Sequence, residues 1–252
     1  MTFDRALARL ARLTDEDLDA PWPFAGEQAD RRYALYHALE SEQRAVVTAP
    51  PTTTESAAIL ALAQAAFGDL RGLLAGLDDV LLDRAPAAGE WTVRETLAHA
   101  IGTERSYRAN TAHALTRSAG EPLQLPAERR PAADPRDTAG GVLEILAAFA
   151  IRRAETDIAF AGLSEPELDR PSLWGGFEVD VRHRLHRFAS HIAEHTIQCA
   201  KIVAALGAAG GDARAICRRI GVSRGLHERR SDAARLSALD DALLEKAPTP
   251  AS

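Results

Sequence analysis

Two histidines four residues apart, His191 and His195, interrupt an apolar stripe that runs Val181, Leu185, Phe188, Ile192, His195, Cys199, Ile202, Leu206. Steps of three and four keep to one face of an α-helix, so His195 is set inward among aliphatic side chains. At about 100° and 1.5 Å per residue, His191 lies roughly one turn below it and about 40° around, and both rings can converge on one point. Each buried imidazole costs about a few kcal/mol without a polar partner, and a shared divalent cation satisfies both at once. The plainer reading of the pair is one satisfied core histidine beside one partly exposed neighbour.

Helical periodicity dominates the rest of the chain, and alternating β patterns are scarce. After Pro50-Pro51 and the capping residues Thr52 to Thr54, the positions Ile59, Leu62, Ala66, Leu70, Leu73 and Leu77 predict a first long helix over about residues 55–77. Thr92-Val93-Arg94-Glu95 is a capping box that starts a second helix reaching about Arg117. Residues 118–141 carry Pro122, Pro126, Pro131 and Pro135 and read as a long surface loop. A third helix is predicted over about 142–161, and a fourth from near Asp180, after the turn-rich 171–176, through the histidines to Leu206. Four such helices argue for an all-α four-helix bundle, where metal sites are built from side chains of facing helices. A third ligand is therefore expected from another helix. His99 lies mid-helix among small residues, although pattern alone sets it opposite the stripe Val93, Leu97, Ala100, Ile101, Tyr107, where a histidine faces solvent.

Composition narrows the alternatives. The 252 residues, 46% hydrophobic and 26% charged, suffice for a full core, and a net charge of −6 with pI near 5.8 opposes general binding to nucleic acid or an anionic membrane. The start of the chain, with Asp4, Arg5, Arg9 and Arg12, does not read as a signal peptide, and no stretch approaches the eighteen or so apolar residues that span a bilayer. Cys199 and Cys217 are the only cysteines, so a disulfide framework is not expected and a cytoplasmic location is.

The Trp-led segment Glu90-Trp91-Thr92-Val93, the Leu97, His99 and Glu104 spacing, and the closing His191, His195 and Gln198 together resemble the DinB-like superfamily over roughly Thr54 to Leu206. The resemblance implies an up-down-down-up four-helix bundle holding a divalent metal, often zinc or nickel, on three histidines, here His99, His191 and His195. It further implies a low-molecular-weight thiol such as mycothiol or bacillithiol as co-substrate, with an electrophile as second substrate, in S-transferase or isomerase chemistry. Three neutral imidazoles leave a cation its full charge, which favours a thiolate near neutral pH. Glu104 or Glu194 could orient a ligand ring or move a proton, with surface salt-bridging the plainer role for each.

Other readings share these residues or lie outside them. His191-Ile192-Ala193-Glu194-His195 is also H-x-x-E-H, a metallohydrolase or peptidase pattern with Glu194 as general base, which needs a further acidic ligand downstream, with Glu228 and Glu245 available. At the amino terminus, Leu13 to Pro21 matches Leu163 to Pro171, and Gly26, Asp30, Arg32 and Leu35 fall on Gly176, Asp180, Arg182 and Leu185, a constant offset of 150. This is either a partial copy of the approach to the fourth helix or a chance helical similarity. Ser41 and Ala45 replace its histidines. A copy predicts a helix over about Asp30 to Val47, packed on the bundle or a partner subunit, with His37 on the surface. After Gly207 to Gly211, the helical segment 212–247 carries arginines at 214, 218, 219, 224, 229 and 230. It is expected as a solvated hairpin. Its arginines could bind an anionic substrate group, or Cys217 to Arg224 could form the first helix and turn of a DNA-binding helix-turn-helix. The expected organisation is an amino-terminal helical extension (1–50), the metal-binding bundle (51–210) and an arginine-rich helical extension (211–252), with a homodimer as an open expectation.

Overall fold

The structure, a computed structural model, describes residues 2–247. Its helices are α1 (Thr2–Leu10), α2 (Asp15–Leu18), α3 (Arg31–Thr48), α4 (Glu55–Leu74), α5 (Val93–Thr116), α6 (Val142–Phe160), α7 (Glu165–Leu168), α8 (Val181–Ala205), α9 (Asp212–His227) and α10 (Ala233–Lys246). Side-chain caps set where the long ones begin. Thr54 accepts from Ala57 N at α4, Thr92 and Glu95 close a capping box at α5, and Asp180 accepts from His183 N at α8. The loop 118–141 holds short 3-10 turns at Ala127–Arg129 and Pro135–Thr138.

Two antiparallel hairpins are additions to the helical reading: β1 (Pro21–Phe24) with β2 (Glu27–Asp30), and β3 (Pro171–Trp174) with β4 (Phe177–Asp180). Each strand has four residues, too few for a period-2 pattern to register, and each pair closes on a two-residue turn with positive φ at both positions. Gly175 and Gly176 stand at +53° and +93°, and Ala25 and Gly26 at +50° and +84°.

Contacts fix the direction of α4, α5, α6 and α8. Thr54 and Ser56, at the start of α4, bond the Ala161 carbonyl at the end of α6, so these two run antiparallel. Arg182 at the start of α8 pairs with Glu55 at the start of α4, so those are parallel. Arg94 reaches the Thr138 and Gly140 carbonyls just before α6, which makes α5 and α6 parallel. The order is up-down-down-up, around a core that includes Phe67, Leu97, Ile101, Phe149, Leu185, Phe188 and Ile192.

A second core unites α1, α3, α9 and α10 through Phe3, Leu7, Leu10, Leu35, Ile216, Ile220 and Leu243. The two ends of the chain thus fold together. The 150-residue offset extends to every element of the amino-terminal segment: α2, β1 and β2 recur as α7, β3 and β4, α3 begins as α8 begins, and α1 ends at Leu10 as α6 ends at Phe160. Arg32 pairs with Asp19 and Asp212 just as Arg182 pairs with Asp169 and Glu55. The similarity is therefore structural, and α3 packs within the same chain on α9 and α10. His37 is not a plain surface residue but half-buried beside Trp22, Phe24 and Tyr33.

The carboxy-terminal segment departs from its expected hairpin. α9 runs unbroken through Gly221, Val222 and Ser223, where a helix-turn-helix would need its turn. It lies antiparallel against α4, with backbones touching at Gly68 and Gly221, at Gly72 and Arg218, and at Gly225 and Gln64. Arg219 stays exposed, whereas Arg214 and Arg224 are buried and three arginines pair internally: Arg218 with Asp69, Arg224 with Glu42 and Asp240, Arg229 with Asp157. α4 thereby sits between the two cores. By length and composition it could cross a membrane, which the expectation of no such stretch missed, and 67% of its apolar window is buried inside the molecule.

Candidate metal centre

His191 and His195 are buried on α8, held by the apolar face that places Leu185, Phe188 and Ile192 in the main core. His99 stands on α5, which runs antiparallel to α8: Arg170, just before β3, bonds the Ala114 and Arg117 carbonyls at the far end of α5. His99 is exposed, as its pattern required, yet its ring lies 5.3 Å from that of His191 and 4.8 Å from that of His195. The flank of α5 that looks polar in sequence borders a cleft of about 470 Å³, lined by Gly89, Glu90, Trp91, Glu194 and Gln198 together with the three histidines.

One ring nitrogen from each histidine lies within 4.8 Å of the others, the only such metal-competent group of three or more among the described residues. The Nε2 atoms of His191 and His195 are 3.0 Å apart. His195 Nδ1 donates to Gln198 Oε1 at 3.0 Å, which fixes the tautomer and leaves the Nε2 lone pair facing the group. Burial, reinforced by the neighbouring His195, His99 and Arg187, pushes His191 down to about 3, and burial with His195 also lowers His99. A divalent cation requires neutral imidazoles, which the lowering at His191 and His99 favours, and the three-nitrogen donor set fits one.

Trp91 packs its ring 5.2 Å from His99, and Tyr107 packs 5.3 Å from His191, so aromatic walls flank the centre on both sides. Glu194 lines the cleft, whereas Glu104 does not reach it. Glu104 turns into the bundle, 3% exposed, where it accepts from Arg153 and Thr156 at 2.6 Å, and burial raises its pKa despite Arg153. Neither a ligand-orienting nor a surface role describes it. Glu228 pairs with Arg71 on α4 and Glu245 lies on α10; neither joins the histidine group, so the downstream acidic ligand that the H-x-x-E-H reading needs is not among the described members of the site. Both cysteines are buried and free, with burial pushing each thiol up to about 12, far from a reactive thiolate.

Sequence reading did not single out Trp174 or Arg187 at the far side of Tyr107, because the hairpin carrying Trp174 looked like a loop. Residues 62–199 match the DinB superfamily. No curated protein matches the chain. Among solved structures, YfiT from Bacillus subtilis, described as a probable metal-dependent hydrolase with an unusual four-helix bundle topology, aligns at a TM-score of 0.50 and 15% identity, covering 63% of this chain and 91% of its own. That likeness is one of fold.

Proposed function

The chain belongs to the DinB superfamily, and from that premise we propose that it is a divalent-metal-dependent enzyme that activates a small-molecule thiol for transfer to, or isomerisation of, an electrophile. The observation that carries the reading is the convergence of three imidazole nitrogens within 4.8 Å at an open cleft, with no protein thiol among them. A divalent cation there, zinc or nickel, supplies the positive charge that lets a thiol lose its proton near neutral pH. Gln198 holds the His195 ring in its ligating tautomer. Trp91 and Tyr107 flank the centre and offer aromatic faces to the substrates. Because both protein cysteines are buried, the nucleophilic sulfur comes from a co-substrate of the mycothiol or bacillithiol type.

A hydrolytic reading has one observation in its favour, the carboxylate of Glu194 on the cleft wall, where it could take a proton from water. The two separate by experiment. Elemental analysis after chelator-free purification is expected to give near-stoichiometric metal in the wild type, none in His191→Ala plus His195→Ala, and affinity weakened about 10- to 100-fold in Gln198→Ala. Metal-dependent thiol-conjugate formation that survives Glu194→Gln supports the thiol reading. Thiol-independent cleavage abolished by Glu194→Gln replaces it with hydrolysis.

A further inference from the structure

Seven residues before His191 on α8, Arg184 is 3% exposed yet meets no carboxylate among the described residues. Its Nε donates to Ser172 Oγ and its Nη2 to the Leu173 carbonyl, both neutral acceptors. Other buried arginines are neutralised twice over: Arg71 by Asp4 and Glu228, Arg153 by Glu104 and Asp157, Arg224 by Glu42 and Asp240. Arg214 has the Ala208 carbonyl, just past the end of α8, where the helix dipole is negative. Burial draws Arg184 below its ordinary value, with Tyr107 the one group acting the other way.

Arg187, one turn on, is half-buried, and its buried Nε has no hydrogen-bond partner. Both guanidiniums lie over the Trp174 indole, 5.5 and 5.1 Å from its ring centroid. Arg184 and Trp174 line a cleft of about 360 Å³ together with Ser106, Tyr107, Asn110 and Gln124. Tyr107 also packs on His191, so one side chain walls both this cleft and the metal centre.

The amino-terminal partial copy supplies an independent observation. At the positions 150 residues earlier, Asp30, Arg32 and Leu35 preserve what shapes the hairpin and helix start, while Ser41 and Ala45 replace the two histidines. Ala34 and His37 replace Arg184 and Arg187 at the same time. A like hairpin and helix start form without either arginine there, and both are lost where the metal pair is lost.

We propose that Arg184 and Arg187 receive a carboxylate of the substrate whose reacting group lies at the histidine centre. The planar guanidinium fork suits a carboxylate, and stacking on Trp174 pre-orients it. At 1.5 Å per residue, Arg184 stands about 10 Å from His191 along α8, so the substrate is an elongated organic acid. The assignment of the reacting end rests on the function proposed above; the anion site itself is tested without it.

Isothermal titration of the full chain with hexanoate and with 1-hexanol separates charge recognition from apolar burial. Hexanoate is expected to bind saturably where hexanol does not, to weaken at least tenfold in Arg187→Gln and in Arg184→Gln, and to bind undiminished in His191→Ala plus His195→Ala. Arg184 also ties down the hairpin, so Arg187→Gln, checked by thermal unfolding, carries the decision, and Arg187→Lys is expected to recover part of the affinity. Hexanoate that ignores the wild type, or binds Arg187→Gln equally well, overturns the proposal. Hexanoate lost in the histidine variant overturns it too, since the carboxylate would then sit on a metal. Intact hexanoate binding without thiol chemistry leaves the anion site standing and sinks only the proposed reaction.

Discussion

At the residue scale, His191 ties the centre to pH. Burial drops its pKa from the ordinary 6.5 to about 3, so as pH falls through 6.5 the unfolded chain takes up a proton that the folded chain refuses. The folded state therefore loses stability on acidification between about 6.5 and 3, and the loss levels off below that window. Urea unfolding of metal-free protein at pH 7.5 and pH 4 is expected to show a fall that is smaller by about 1–2 kcal/mol in His191→Gln than in the wild type. An equal fall in both would mean that His191 is already protonated in the folded protein. The pair His191 and His195 was legible because a spacing of four on one helix is local geometry. His99 was not legible from pattern, since its polar flank gains meaning only once α8 lies beside it. Glu104, with the same polar identity on the same helix, turns the other way, into a buried network with Arg153, Thr156 and Asp157.

At the element scale, the decisive contact is between α4 and α9. Gly68 faces Gly221, with Gly72 against Arg218 and Gly225 against Gln64 one turn to either side, and a Cβ at Gly68 would overlap the Gly221 carbonyl. The obstacle is backbone, which cannot swing aside as a side chain does. Gly68→Ala is expected to destabilise by about 3 kcal/mol. Gly102→Ala, in the middle of α5 with nothing within 4 Å of its would-be Cβ, is expected to stabilise by about 0.5–1 kcal/mol. Chemical denaturation of the two variants checks this, and similar effects would mean that the helices do not touch there. The helical character of 212–227 was readable from the sequence. That it is one unbroken helix, buried on two sides, was not, because Gly221 signals a turn locally and a close crossing only in the presence of Gly68.

At the scale of the whole molecule, the chain closes on itself. Residues 2–48 and 212–247 build one core around α1, α3, α9 and α10, joined to the metal-centre bundle through α4 and through Arg71, which pairs with Asp4 and Glu228 from the two segments. Removing residues 211–252 would expose the glycine face of α4 and leave Glu42 without the Arg224 and His227 partners that hold its pKa low against burial. The truncated chain 1–210 is expected to aggregate or to lose cooperative thermal unfolding, while the full chain melts in one transition. A truncated chain that melts cooperatively near the full-length temperature would show that the bundle stands alone.

The amino-acid sequence by itself determined the long helices of the bundle, the threonine caps of α4 and α5, the inward histidine pair and the 150-residue offset, because periodicity, capping and repetition are properties of neighbouring positions. Tertiary structure decided the rest: that His99 completes the cluster, that the segments 2–48 and 212–247 share a core, and that Arg184 meets no carboxylate among the described residues. Arg224 meets Glu42 across 182 positions, and Arg182 meets Glu55 across 127. Whether a charge is neutralised, or a glycine is a turn or a crossing, depends on which distant backbone arrives beside it, and one-dimensional spacing does not encode that arrival.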